Sequence, residues 1–211
     1  MAIVTRIAKP LLYGGARATY SWTLAMVPRR QDLPVLLNRR KLSGTGVEVG
    51  VQSGAFSETL LDIWRGRLLI SVDPWAETSP DDYVDVSNVD QVAQNELYDS
   101  TCRRLARFGV RSDVWRMTGK DASLRVDDVS LDFVYLDARH DYESVREDLH
   151  DWWPKLRCLG LFAGHDYVDG RRATGEYGVK RAVDEFLSER GLRARKTLLD
   201  GGAASWLAIK H

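Results

Sequence analysis

Nothing in this chain of 211 residues is long and apolar enough to cross a bilayer as a helix, which takes ~20 consecutive apolar residues. Cysteine is scarce. Cys102 and Cys158 stand far apart, outside any C-x-x-C pair or metal-type spacing, so neither a disulfide framework nor a thiolate zinc site is expected. Both are expected to be reduced and buried, which fits a reducing compartment and a cytoplasmic location. Charge of one sign is lacking too, since 30 basic residues balance 30 acidic ones. That balance gives no support for a nucleic-acid or membrane partner. Arg6 and Lys9 precede an apolar patch, but Gly14, Gly15 and Arg17 interrupt it, so a secretory leader is not expected. Internal repeats and low-complexity tracts are absent. What remains, 44% hydrophobic and 28% charged residues, is the profile of a globular domain of ordinary size.

Two parts are expected. Residues 1–31 read as an N-terminal appendage, helical or irregular, whose apolar run Tyr20 to Val27 packs on the domain or on a second copy of the chain. Residues 32–211 read as the main domain. Asp32 is placed as a helix cap before Leu33 to Leu37. Apolar runs at Val47–Val49, Leu68–Val72, Val114–Met117, Leu131–Leu136 and Leu159–Ala163 read as strands. Helical patterns lie between them, at Phe56–Trp64, Val92–Phe108, a short turn at Ala122–Val126, and Tyr142–Leu156, where Pro154 forces an end. Ala76 to Asp90 reads as a long polar loop, either a lid or a solvated connection. Val168 to Gly175 reads as a loop, Val179 to Leu187 as a helix, and Arg193–Leu199 with Ala204–Ile209 as a hairpin around D-G-G. Seven strands result, five of them alternating with helices. That alternation predicts an α/β fold with a mostly parallel sheet covered on both faces.

The organising stretch is V-E-V-G-V-Q-S-G-A-F-S, Val47 to Ser57. A short strand breaks at Gly50 and Gly54 and becomes a helix. Such a corner lets a ligand approach bare backbone, and the helix start offers free N–H groups to an anion. The dinucleotide fingerprint G-x-G-x-x-G is missing, because Gly50 and Gly54 are spaced G-x-x-x-G. Asp73 ends the second strand, where an acid can bind both hydroxyls of a ribose, in NAD or in S-adenosylmethionine. Asp73, Asp137 and Asp166 all fall at strand carboxyl ends, where parallel sheets bind ligands. A nicotinamide-dependent oxidoreductase is the competing enzyme class. The missing third glycine and the absence of a Tyr-x-x-x-Lys pair weigh against it.

V-E-V-G-V-Q-S-G resembles the first motif of class I S-adenosylmethionine-dependent methyltransferases, and I-S-V-D-P-W their second. Y-L-D-A-R-H-D-Y and F-A-G-H-D-Y resemble motifs of a small-molecule O-methyltransferase branch that acts on sugar-bearing natural products. The resemblance runs from Leu33 to Trp206. It implies a Rossmann-like sandwich with strand order 3-2-1-4-5-7-6 and S-adenosylmethionine as cofactor. It also implies that Glu48, Gly50, Gln52, Ser53, Gly54 and Ser57 serve the methionine end, with Asp73 on the ribose. Trp75 packs on the adenine or anchors its loop, and Asp121 and Ala122 flank the adenine unless Asp121 is only a helix cap.

The expected acceptor is a small molecule, with a hydroxyl oxygen as the methylated atom. Asp137, His165 and Asp166 have the residue types to hold Mg²⁺ or another divalent cation, as the acids at those strand ends do in metal-dependent O-methyltransferases. His165 stands where an acid is usual there, and imidazole suits borderline metals better than magnesium. His140 titrates near neutrality and is a candidate base, with His165 and Asp137 beside it. Its alternative is a structural imidazole bonded to a loop carbonyl. Arg171 and Arg172 read either as anion-binding or as solvated loop residues. A non-catalytic cofactor-binding protein that kept the fold is the third class.

Overall fold

The computed structural model of the chain describes residues 27–79, 84–85, 87–172, 175–200 and 204–211. Most of the expected appendage, including the run from Tyr20, lies outside them.

The chain enters through a 3-10 turn, Arg30–Asp32, and helix α1, Leu33–Arg39. Asp32 does not cap α1 with its side chain, contrary to expectation. Its carboxylate instead accepts from the backbone N–H of Arg29 at 3.1 Å. Then follow β1 Thr45–Val49, α2 Ala55–Ile63, β2 Leu68–Asp73, α3 Gln91–Leu105, β3 Ser112–Arg116, α4 Gly119–Ser123 and β4 Leu131–Leu136. The second half runs α5 Tyr142–Trp152, β5 Leu156–Gly164, β6 Asp169–Arg172, β7 Gly175–Gly178, α6 Val179–Ser188, β8 Arg195–Lys196 and β9 Trp206–Ile209. Asp90, Thr118 and Asp141 cap α3, α4 and α5 through side-chain oxygens, which satisfies N–H groups that a helix start leaves unpaired.

Seven strands form one sheet in the order β3-β2-β1-β4-β5-β9-β8. The first five are parallel, and β9 runs antiparallel to both β5 and β8. This is the expected order with the last two strands renumbered. Renumbering is needed because residues expected to be a loop after β5 form a separate ribbon, β6 paired antiparallel with β7. Every residue of β6 is exposed, so no apolar alternation marks it in the sequence. Three other boundaries move. The short helix lies earlier than Ala122–Val126. Helix α5 stops at Trp152, before Pro154, and Leu156 begins β5.

β4 sits at the centre and all six of its residues are buried, as a strand covered on both faces requires. Alternate residues serve opposite layers. Phe133 and Tyr135 join Leu37, Phe56, Leu60 and Leu207 on the face covered by α1 and α2. Val134 and Leu136 join Trp152, Val183, Phe186 and Trp206 on the face covered by α5 and α6. The expected burial of the cysteines fails: Cys158 is exposed and Cys102 half-buried, both as free thiols. Among the described residues no helix is long and apolar enough to span a membrane.

Candidate active site at the strand tips

The first wall is made mostly by backbone. Gly50 has φ +87°, and a Cβ there would stand 1.9 Å from the carbonyl oxygen of Asp137. Only glycine lets the tips of β1 and β4 approach so closely. Gly54, with φ +75°, is the left-handed residue from which α2 starts. Asp73 closes this corner. Its Oδ2 accepts from Val51 N at 2.8 Å and Gln52 N at 2.9 Å, and its Oδ1 from Trp75 N at 2.8 Å. A carboxylate has about four acceptor positions, so capacity remains for a ligand hydroxyl.

Glu48 lies behind the turn, almost fully buried. Burial raises its pKa to about 8, against the lowering effects of a hydrogen bond from Ser57 and the charge of Arg30. The Ser57 hydroxyl donates to Glu48 Oε2 and lies 2.9 Å from that of Ser71. Glu48 is therefore a largely protonated carboxyl at neutral pH.

The second wall is built from side chains. Asp137 follows β4, while His165 and Asp166 follow β5. Asp137, His140 and Asp166 each offer a ligand atom, all within 4.8 Å of one another. His140 Nε2 is 3.1 Å from Asp166 Oδ2 and 4.0 Å from Asp137 Oδ1. His140 Nδ1 is 3.0 Å from Asp85 Oδ2, and the Asp85 side chain is only 4% exposed. Ser87 holds Asp85 in turn, through its N–H at 2.8 Å and its hydroxyl at 2.6 Å. Burial pushes Asp85 up, but the hydrogen bonds from His140 and Ser87 outweigh it and hold its pKa at about 2. Asp166 is likewise raised by burial and lowered further by His140 and His165, ending well below the usual carboxylate range. The Tyr177 ring stacks on His140 at 4.8 Å, and the His140 carbonyl accepts from Gly178 N at 2.8 Å.

Between the walls lies a cavity of about 600 Å³, within the ordinary range for small-ligand sites. Of the residues singled out in the sequence, Glu48, Gly50, Gln52, Ser53, Asp73, Asp137, His140 and Asp166 line it. The others stand back. Gly54 and Ser57 support the turn. Trp75 is wholly buried, donates from Nε1 to Gln52 O at 2.8 Å and meets Tyr98 edge-on, so it anchors its loop. Asp121 bonds with Thr118 at the start of α4, and Ala122 packs in the core. His165 Nδ1 lies 3.6 Å from Asp137 Oδ1 and 3.3 Å from Asp166 Oδ2 but does not line the main cavity. His140 is thus the imidazole that completes the group facing the cavity. Arg171 and Arg172 are exposed on β6.

Sequence reading missed Asp85, Tyr177 and Arg30, all of which line the cavity. Asp85 carried one signal: the spacing D-x-S at Asp85 to Ser87 is an Asx-turn pattern. The polar stretch after β2 is therefore a wall of the site, with its described residues joined by bonds such as Thr78 N to Asn88 Oδ1 at 2.9 Å.

This sheet order, with a glycine corner after β1, an acid at the tip of β2 and a cavity across the tips of β1 and β4, is the Rossmann-like architecture of class I methyltransferases. The chain belongs to the methyltransferase domain family, whose profile matches residues 47–167, and is an S-adenosylmethionine-dependent methyltransferase. A search of curated proteins finds no match. Similar solved structures include an O-methyltransferase from Bacillus cereus in complex with S-adenosylhomocysteine, at 14% identity and TM-score 0.58, covering 97% of this chain and 93% of that one. A methyltransferase dependent on S-adenosylmethionine from Aquifex aeolicus matches at 14% identity and TM-score 0.57, over 92% and 98% of the two chains. The 1,6-didemethyltoxoflavin-N1-methyltransferase of Burkholderia thailandensis, with 1,6-didemethyltoxoflavin and S-adenosylhomocysteine bound, matches at 14% identity and TM-score 0.56, over 99% and 93%. At such identities the likeness is one of fold.

Proposed function

We propose that this enzyme transfers the methyl group of S-adenosylmethionine to a hydroxyl oxygen of a small molecule. One observation carries the reading: Asp73 and the Asp137–His140–Asp166 group line the same cavity. The glycine corner, with Glu48, Gln52 and Ser53, receives the methionine end of the donor, and Asp73 the ribose hydroxyls. Asp137, His140 and Asp166 face the acceptor. Methyl transfer is an in-line displacement at the methyl carbon, and much of its acceleration comes from holding the two reactants in line. The acceptor hydroxyl loses its proton as the new C–O bond forms and the C–S bond breaks. His140 Nε2 is the group that takes that proton. Asp85 at Nδ1 fixes the imidazole tautomer and orientation, as a carboxylate behind a working histidine does.

The same three atoms suit a divalent cation, as an alternative to base catalysis, since His140 Nε2 cannot ligate a metal and take a proton at once. Two carboxylate oxygens and an imidazole nitrogen backed by a carboxylate form a donor set found around such ions. His140 faces the cavity as the nitrogen donor, with His165 beside the two acids. A bound cation would lower the pKa of an acceptor hydroxyl. The small-molecule acceptor is supported by the size of the cavity and by the absence of net basic charge, which also argues against a nucleic-acid partner. A cytoplasmic location fits the two free thiols.

Turnover with labelled S-adenosylmethionine over a panel of hydroxyl and ring-nitrogen acceptors, with and without a chelator, tests the reading. Methylation of oxygen is expected. Methylation of nitrogen alone would overturn the oxygen assignment, and activity undiminished by the chelator would remove the cation.

A further inference from the structure

Two arginines line the cavity without a part in this scheme, Arg30 and Arg139. Arg30 lies outside the family match, at the entrance of the described chain. Its backbone is tied down: Arg30 N donates to Asp200 Oδ2 at 2.8 Å, and the Pro28 carbonyl accepts from Leu198 N and Leu199 N at 3.0 and 2.8 Å. From that anchor the side chain crosses the Phe56 ring, with Cζ 4.2 Å from its centroid, and reaches Asp137 Oδ2 at 3.2 Å. Phe56 belongs to the first turn of α2, directly after the glycine corner. The guanidinium therefore stands on the wall assigned to the donor's methionine end, and its side chain is 20% exposed.

We propose that Arg30 grips the α-carboxylate of S-adenosylmethionine. The inference rests on the donor reading above. The cavity is otherwise acidic, lined by Asp73, Asp85, Asp137 and Asp166. A carboxylate entering it is repelled unless a cation meets it. Arg139 also lines the cavity, but its Nε lies 3.3 Å from Asp141, beside the acceptor group. Among the described residues that line the cavity, Arg30 is the cation over Phe56, on the donor side. Its planar fork fits a carboxylate through two parallel N–H···O bonds, a match that lysine cannot reproduce. The phenyl ring beneath holds the plane in place. In this scheme the guanidinium exchanges Asp137 for the donor carboxylate, so Asp137 itself is not needed to hold the donor.

The test compares two ligands on the full chain by titration calorimetry. S-adenosylhomocysteine carries the amino-acid end, while 5′-methylthioadenosine keeps the adenosine thioether without it. In Arg30→Gln, affinity for S-adenosylhomocysteine is expected to fall at least about tenfold, as loss of a charged hydrogen-bonded pair implies. Affinity for 5′-methylthioadenosine is expected to stay put, which also shows that the variant is folded. Arg30→Lys is expected to recover part of the loss. Equal losses for both ligands would make Arg30 a structural residue and overturn the proposal. Unchanged S-adenosylhomocysteine affinity would overturn it too and would leave the guanidinium to an acid on the acceptor. If the native protein binds neither ligand, the donor reading itself fails.

Discussion

The two walls of the cavity are made in different ways. The donor wall is local: one strand, one turn and one helix start within Val47 to Ser57, closed by Asp73 from the neighbouring strand. Its hydrogen-bonding groups are largely backbone, set by the positive φ of Gly50 and Gly54. The acceptor wall is assembled from distant parts of the chain. Asp85 comes from the loop after β2, His140 from the loop after β4, Asp166 from the end of β5 and Tyr177 from the ribbon. Backbone geometry tolerates many sequences around it, whereas a wall of side chains changes with each residue. In the proposed reading the fold sets where the methyl donor sits and leaves the acceptor to replaceable elements, in line with the general separation of fold from function.

This contrast can be broken most sharply at Asp137. Asp137→Ala is expected to lower turnover by about 10²- to 10⁴-fold, the range for loss of a group acting on the proton or the charge at the reacting centre, and to leave S-adenosylhomocysteine binding in place. Wild-type turnover with and without a chelator would remove Asp137 from the mechanism. On the opposite wall, Asp73→Ala should act on binding. Its carboxylate accepts three backbone N–H groups, so its loss leaves donors unpaired and costs about 1–3 kcal/mol for any that stay shielded from water. Calorimetry is expected to show a loss of S-adenosylhomocysteine affinity of about 10- to 100-fold, with a lower melting temperature. Retained affinity would mean that the ribose lies elsewhere.

Asp85→Asn is a gentler probe. It removes the charge behind His140 and keeps the shape, so kcat is expected to fall about 10- to 100-fold, as for other partners that orient a working imidazole. KM and S-adenosylhomocysteine affinity should change little, and the pH profile of kcat should move. A rise in KM alone would make the loop a binding wall without a role in orienting the base.

The remaining effect is on stability. Glu48 titrates near 4.5 when unperturbed and at about 8 in the fold, where burial holds its proton. Between those values the folded state keeps a proton that the unfolded chain has lost, so stability falls as pH rises from about 4.5 to about 8. Glu48→Gln removes that titration, and its urea midpoint should decline less over this window than that of the wild type. Parallel declines would show that Glu48 is ionised in the fold.

What could be read from the sequence follows the same division. The strand–glycine–helix corner and the acids at strand ends are local patterns, and they held in place. Helices were found where a periodic face announced them, as over Val92 to Phe108 and from Tyr142. The ribbon was missed because β6 is exposed on both faces and carries no alternation. Asp85 and Tyr177 were missed because their meaning comes from His140, 55 and 37 positions away in the chain. Trp75 was legible as an aromatic beside the donor site, but only the structure shows its indole turned inward to Gln52 O.

The most direct test of the account is a side-by-side calorimetric titration of the purified chain with S-adenosylhomocysteine and NAD. The account predicts saturable binding of S-adenosylhomocysteine, lost in Asp73→Ala and kept in Asp137→Ala, with no heat from NAD. Binding of NAD without S-adenosylhomocysteine, or S-adenosylhomocysteine binding that depends on Asp137 and ignores Asp73, would contradict it.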